Sequence, residues 1–124
     1  MAKKVLIVDD ELNITISVEF LMRREGFDVS VAKDGEEGLS MIRSWMPDLV
    51  LLDVMMPKMD GFEVCRTVRA DASLSGVRIV MLTAKGREAE VEKGLSLGAD
   101  AYIPKPFSTS ELVSRVKSLL ETGT

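Results

Sequence analysis

Asp9, Asp10, Asp53, Thr83 and Lys105 each stand at the close of an apolar run or just beyond it. Three carboxylates with no nitrogen or sulfur donor among them suit a hard cation such as Mg²⁺, which keeps several waters and is readily shared with a phosphate. Lys105 would bring a second positive charge to the same place. A carboxylate held between a divalent cation and a lysine is poised to attack phosphorus, because both cations neutralise charge on the phosphoryl oxygens. The Thr83 hydroxyl could then hydrogen-bond a phosphoryl oxygen. Asp9 and Asp10 are adjacent like charges, costly unless a cation or a shared proton relieves them. Taken alone, the segment LIVDDE (6–11) reads more simply as a solvated loop with Asp10 capping a helix.

Other chemistries are excluded by what is missing. The chain has no histidine, so Ser-His-Asp and Cys-His catalysis and imidazole metal sites are out. Its one cysteine, Cys65, cannot close an intramolecular disulfide and suggests a small residue packed on a helix. With 124 residues, 46% hydrophobic and 29% charged, the composition is that of one globular domain with a real core. A formal net charge of −4 without a basic block argues against nucleic acid or a membrane surface as partner. MAKKVLIVDDE is neither a signal peptide nor a membrane span. A cytoplasmic location is the expectation.

The elements that must position these residues follow from hydrophobic patterning. Val5–Val8, Leu49–Leu52, Ile79–Leu82 and the short Ala101–Ile103 are continuous apolar runs, as strands buried on both faces require. Phe27 to Ala32 alternates instead, with Phe27, Val29 and Val31 on one side and Asp28 and Ser30 on the other, the pattern of a half-exposed edge strand. Between the strands lie helices with recognisable starts. Asp34 and Asp60 are each an acid cap with Glu three residues on, and Ser108–Glu111 is a capping box opening a stripe of Leu112, Val113, Val116, Leu119 and Leu120. Leu39, Ile42 and Met46 mark the second helix, which Pro47 closes. Val91 and Leu95 mark the fourth. The segment after Asp10 alternates locally like a strand (Ile14, Ile16, Val18, Phe20), but length and the i, i+4 spacing of Leu12, Ile16 and Phe20 favour a helix. Strand and helix thus alternate five times over one domain, residues 1–124. That order predicts an α/β fold with a five-stranded parallel sheet and helices on both faces. In such sheets ligands bind beyond the carboxyl ends of the strands, which is where the acids, the hydroxyl and the ammonium fall.

Four strings carry a more specific signal in the right order: VDDE at 8–11, LLDVMMPKMDG at 51–61, LTA at 82–84 and GADAYIPKPF at 98–107. With them the whole chain resembles the receiver domain of two-component response regulators, whose best-known stand-alone member is the chemotaxis regulator. The resemblance implies the flavodoxin-like (βα)5 strand order 2-1-3-4-5, for which this fold is a standard example. It implies Asp53 as phosphoacceptor and Mg²⁺ held by Asp10, Asp53 and the backbone carbonyl of Met55, with Asp9 acting directly or through water. Lys105 would pair with Asp53 and then with the phosphoryl group, across a cis Lys105–Pro106 bond. Thr83 and Tyr102 would form the switch, the hydroxyl moving toward phosphate as the ring turns inward. The implied donor is a histidine kinase or a histidine phosphotransfer protein. The implied output is a protein target on the face made by the fourth helix, fifth strand and fifth helix, with a phosphorylation-dependent homodimer as a further possibility.

Rival readings are weaker. Aspartyl phosphatases resembling the haloacid dehalogenase family carry D-x-D, whereas the position two beyond Asp53 is Met55, so the chain is expected to catalyse only its own phosphorylation and dephosphorylation. A flavin phosphate would be repelled by DDELN (9–13). A receiver-like module that accepts no phosphate would not need the full set of acids, Thr83 and Lys105. The chain ends soon after Leu120, which suggests a stand-alone receiver; the alternative is the amino-terminal part of a longer DNA-binding regulator. Lys93, Asp100 and Arg115 fit loosely the charge pattern through which such regulators dimerise, and Ala101 stands where an acid is common.

Overall fold

The computed structural model describes residues 2–56, 58–84 and 88–122. Pro57 and Lys85, within or beside the quoted strings, lie outside the described residues. Five strands, β1 (Lys4–Val8), β2 (Asp28–Ala32), β3 (Leu49–Asp53), β4 (Arg78–Ala84) and β5 (Ala101–Lys105), alternate with five helices. These are α1 (Leu12–Arg24), α2 (Gly35–Trp45), α3 (Gly61–Arg69), α4 (Glu88–Ser96) and α5 (Thr109–Thr122). The strands form one sheet in the order β2-β1-β3-β4-β5, every neighbouring pair parallel. The expected fold is the observed one.

The continuous apolar runs are explained by two cores, one on each face of the sheet. Successive side chains on a strand point to opposite faces. On β1, Leu6 and Val8 enter a cluster with Leu39, Ile42, Val64 and Val68 from α2 and α3. Val5 and Ile7 enter the other, with Val18, Met22, Leu112 and Val116 from α1 and α5. Burial on both sides leaves no position on the central strands where a polar residue is tolerated without a reason. β2 lies at the edge, with Val29 buried and Asp28 exposed.

Three strands run further than their apolar residues. Asp53, Thr83 and Lys105 are within the ladder, facing Leu82, Pro104 and Ala84 respectively. Backbone pairing does not depend on side-chain polarity, so the sheet continues into the polar residues and holds them rigidly.

Local chemistry sets the helix starts. Asp34 accepts from Glu37 N at 2.8 Å, Asp60 from Glu63 N at 2.9 Å, and Ser108 Oγ from Glu111 N at 3.1 Å. Glu37 reaches back to Lys33 N rather than to the cap residue itself. Gly61 admits α3 directly behind the end of β3: a Cβ there would strike the Asp53 carbonyl oxygen and lie 3.0 Å from Val54 Cα. α3 is therefore seated against the backbone that presents Asp53.

Three helical expectations need correction. α1 forms, but Leu12, Ile16 and Phe20 are 70%, 57% and 66% exposed. The buried face is Thr15, Val18, Leu21 and Met22. Thr15 is tolerated inside because its hydroxyl donates to Leu12 O at 2.9 Å. Met46 is not on the α2 stripe; it is the left-handed C-cap, φ 54, and its side chain is exposed. In α4 only Gly94 is buried, because its backbone lies close enough that a Cβ would meet Met81 Cγ at 3.3 Å. Leu95 is exposed and Val91 half-buried.

Candidate functional site

The ends of β1, β3, β4 and β5 bring the predicted residues to one rim. Asp9 and Asp53 are buried, at 1% and 5% exposure, while Asp10 is exposed. Each of the three offers a carboxylate oxygen, and these oxygens lie within 4.8 Å of one another. Asp10 does not cap α1: the cap position is Glu11, and no side chain caps the helix there. The Asp9 carboxylate accepts from Glu11 N at 2.9 Å, closing the loop tightly after the strand.

Lys105 reaches into the cluster from β5. Its Nζ lies 3.0 Å from Asp9, 3.1 Å from Glu11 and 3.3 Å from Asp53. The Lys105–Pro106 bond is cis, as the resemblance implied. Burial of the ammonium works against its charge, yet the Asp9 hydrogen bond and the Asp53 and Asp9 charges prevail, and its pKa is raised. Asp53 moves the other way from most paired acids. Desolvation first and the Asp9 charge second push its pKa up to about 7, against the opposing pull of Lys105. A single ammonium shared among three carboxylates does not compensate buried negative charge fully.

Thr83, at the end of β4, is buried, and its Oγ1 has no hydrogen-bond partner among the described residues. A buried hydroxyl ordinarily finds one. Tyr102 is half-buried against the same core cluster as Met81, its strand partner on β4. Thr83 is two residues beyond Met81 and so shares that face of the sheet. Met55 is exposed and lines, with Asp53, Ile14, Lys105 and Pro106, a cleft of about 350 Å³. Glu11 lines it too and was not singled out from the sequence. It lies past the strand end in the loop, and its partner is 94 residues away.

Of the residues named for a dimer surface, Asp100 and Lys93 are engaged within the chain. Asp100 accepts from Arg69 Nη2 and from Ile79 N, each at 2.8 Å, and the Lys93 ammonium sits 4.5 Å from the Phe62 ring centre.

A model of the response regulator receiver domain family matches residues 5–117. The chain belongs to that family. Among solved structures, the receiver is similar to a protein of Chloroflexus aurantiacus J-10-fl assigned as a response regulator, at 37% identity over 98% of this chain and 99% of that one, TM-score 0.93. It is similar also to the chemotaxis response regulator CheY4 of Vibrio cholerae, at 31% identity over 96% and 99% of the two chains, TM-score 0.90. The receiver domain of the sensor histidine kinase PA1611 from Pseudomonas aeruginosa PAO1 matches at 26% identity over 98% and 99%, TM-score 0.89, and that structure has a magnesium ion coordinated in its active-site cleft. The receiver thus takes its place among the phosphorylation-controlled modules of two-component signalling. Among the described residues no helix is long and apolar enough to cross a membrane.

Proposed function

We propose that this receiver accepts a phosphoryl group on Asp53 from a histidine-borne donor and converts the event into a change of surface around Thr83 and Tyr102. The observation that carries the reading is the buried Asp53 carboxylate, set between two further acids and the Lys105 ammonium at the mouth of an open cleft. The oxygen-only donor set of Asp9, Asp10 and Asp53 fits Mg²⁺, and Met55, at the cleft wall, would add its backbone carbonyl. Magnesium bound there would neutralise charge on the phosphoryl oxygens. The transfer itself belongs to Asp53: one carboxylate oxygen attacks phosphorus, a P–O bond forms as the donor's P–N bond breaks, and the imidazole nitrogen leaves with the bonding pair. Lys105 then exchanges a carboxylate for a phosphoryl oxygen. Thr83, its hydroxyl otherwise without a partner, donates to another.

Because Thr83 and Tyr102 share one face of the sheet, movement of the hydroxyl opens space on the side of α4, and the α4–β5–α5 face becomes the output surface. With Met55 two beyond Asp53, no acid stands ready to drive turnover of other phosphoesters, so the chemistry is confined to Asp53's own phosphorylation and hydrolysis. For the donor, the exposed line of Leu12, Ile16 and Phe20 on α1 starts beside the cleft wall at Ile14 and offers an apolar helix a place to dock.

Incubation with a small phosphodonor, with and without Mg²⁺ and alongside Asp53→Asn, tests the reading by intact mass. A single phosphate adduct requiring both Mg²⁺ and Asp53 is expected. Absence of any adduct on the folded wild-type protein overturns it.

A further inference from the structure

We infer that Glu11 is a positioning residue that latches Lys105 in the unphosphorylated state, and that this latch slows phosphorylation of Asp53. The inference rests on the proposed role of Asp53 and adds a residue to which that reading assigns nothing.

The Lys105 ammonium has three carboxylate neighbours, and the longest contact, 3.3 Å, is the one to Asp53. The two shorter ones, to Asp9 at 3.0 Å and Glu11 at 3.1 Å, both come from the β1 end and the loop after it. Two of the three contacts of the ammonium therefore tie it to that loop. Asp9 is held by its own bond from Glu11 N and lies in the buried acid cluster. Glu11 is different, because its carboxylate is exposed and makes no bond to the start of α1. A carboxylate beside a helix N-terminus is ordinarily stabilised by the free N–H groups there. Here it spans instead from the β1–α1 loop to the end of β5. The geometry joins the β1–α1 loop to the end of β5 through one ammonium, the same ammonium that must turn to the phosphoryl group.

Releasing the latch leaves Lys105 one acceptor fewer to surrender. An exposed charge-assisted pair is weak, so the expected effect is modest, about threefold in rate. Two variants separate a latch from a change in local charge. Glu11→Gln removes the charge and weakens the bond. Glu11→Asp keeps the charge but, one methylene shorter, cannot reach Nζ from the same backbone. The rate of adduct formation with acetyl phosphate is measured by intact mass at saturating Mg²⁺, the metal affinity of each variant being determined separately. Exchange of the Lys105 ammonium protons with water is followed by NMR in the metal-free protein.

Both variants are expected to phosphorylate about threefold faster than wild type and to show faster ammonium exchange. Wild-type rates in both overturn the latch. So does a faster Glu11→Gln with an unchanged Glu11→Asp, which assigns the effect to charge alone. Slower phosphorylation in both overturns it as well and makes Glu11 a support for the reactive geometry. If wild type itself forms no adduct, it is the role of Asp53 that fails, while the ammonium exchange still reports whether Glu11 holds Lys105.

Discussion

Replacing Asp53 with Asn should stabilise the fold at neutral and alkaline pH, although it removes the proposed reactive group. The carboxyl's pKa rises from 3.8 to about 7 on folding, chiefly through desolvation and the Asp9 charge. At about 1.4 kcal/mol per pKa unit, that places a ceiling of about 4 kcal/mol on the penalty for the ionised form. Asn carries no charge to desolvate, and the loss of the Lys105 attraction is already counted, because that attraction opposes the upward shift. The gain is then at most about 4 kcal/mol, or about 16 °C in Tm for a domain of this size. Because the folded pKa lies above the unfolded one, the penalty on wild type is complete above pH 7 and fades as the pH falls through 7 toward 4. Urea unfolding of both proteins in chelator, at pH 8 and pH 5, reads this directly. The Asn variant should be more stable at pH 8, with the difference shrinking at pH 5. A variant no more stable than wild type at pH 8, or a gain undiminished at pH 5, would refute the electrostatic reasoning. Adding Mg²⁺ at pH 8 should raise the stability of wild type through mass action, and more than that of the variant.

Other consequences can be checked with the same tools. Gly61→Ala drives a Cβ into the Asp53 carbonyl and against Val54 Cα, and should cost about 1–3 kcal/mol in urea unfolding together with a slower adduct at Asp53. Thr83→Val removes a buried hydroxyl that has no partner among the described residues, so urea unfolding should show no loss beyond about 0.5 kcal/mol, while the phosphorylation-dependent change at Tyr102, followed by NMR, disappears. Phe20→Ala, on the outer face of α1, should leave stability within about 0.5 kcal/mol and leave acetyl phosphate as good a donor as before, yet slow transfer from a phosphorylated histidine protein. Leu51→Ala, in the fully buried centre of β3, should cost about 2–5 kcal/mol by chemical denaturation.

The sheet and its rim were legible in the residues themselves. A parallel strand is buried on both faces, so it must be written as a run of apolar residues, and Asp53 at the close of LVLL or Asp9 after VLIV can stand, still buried, only where the apolar core gives way to polar partners. That constraint is local to each strand, and strand-by-strand reading recovers it. Helix burial is not local in this way. The α1 segment carries two apolar lines, Leu12–Ile16–Phe20 and Val18–Leu21–Met22, and spacing gives either an equal claim to the core. Packing against β1, β2 and α5 chose the second, and Thr15 is tolerated on that face because its hydroxyl bonds Leu12 O. The same holds for the polar contacts. That Lys105 would meet acids was readable from its place at a strand end. Glu11 as one of its partners was not, since it depends on how the β1–α1 loop approaches the end of β5. The capture of Asp100 by Arg69 and the Ile79 N–H likewise follows from where the end of α3 meets β4. Short-range periodicity records which surfaces a segment can bury; only the assembled sheet decides which neighbours are there to cover them.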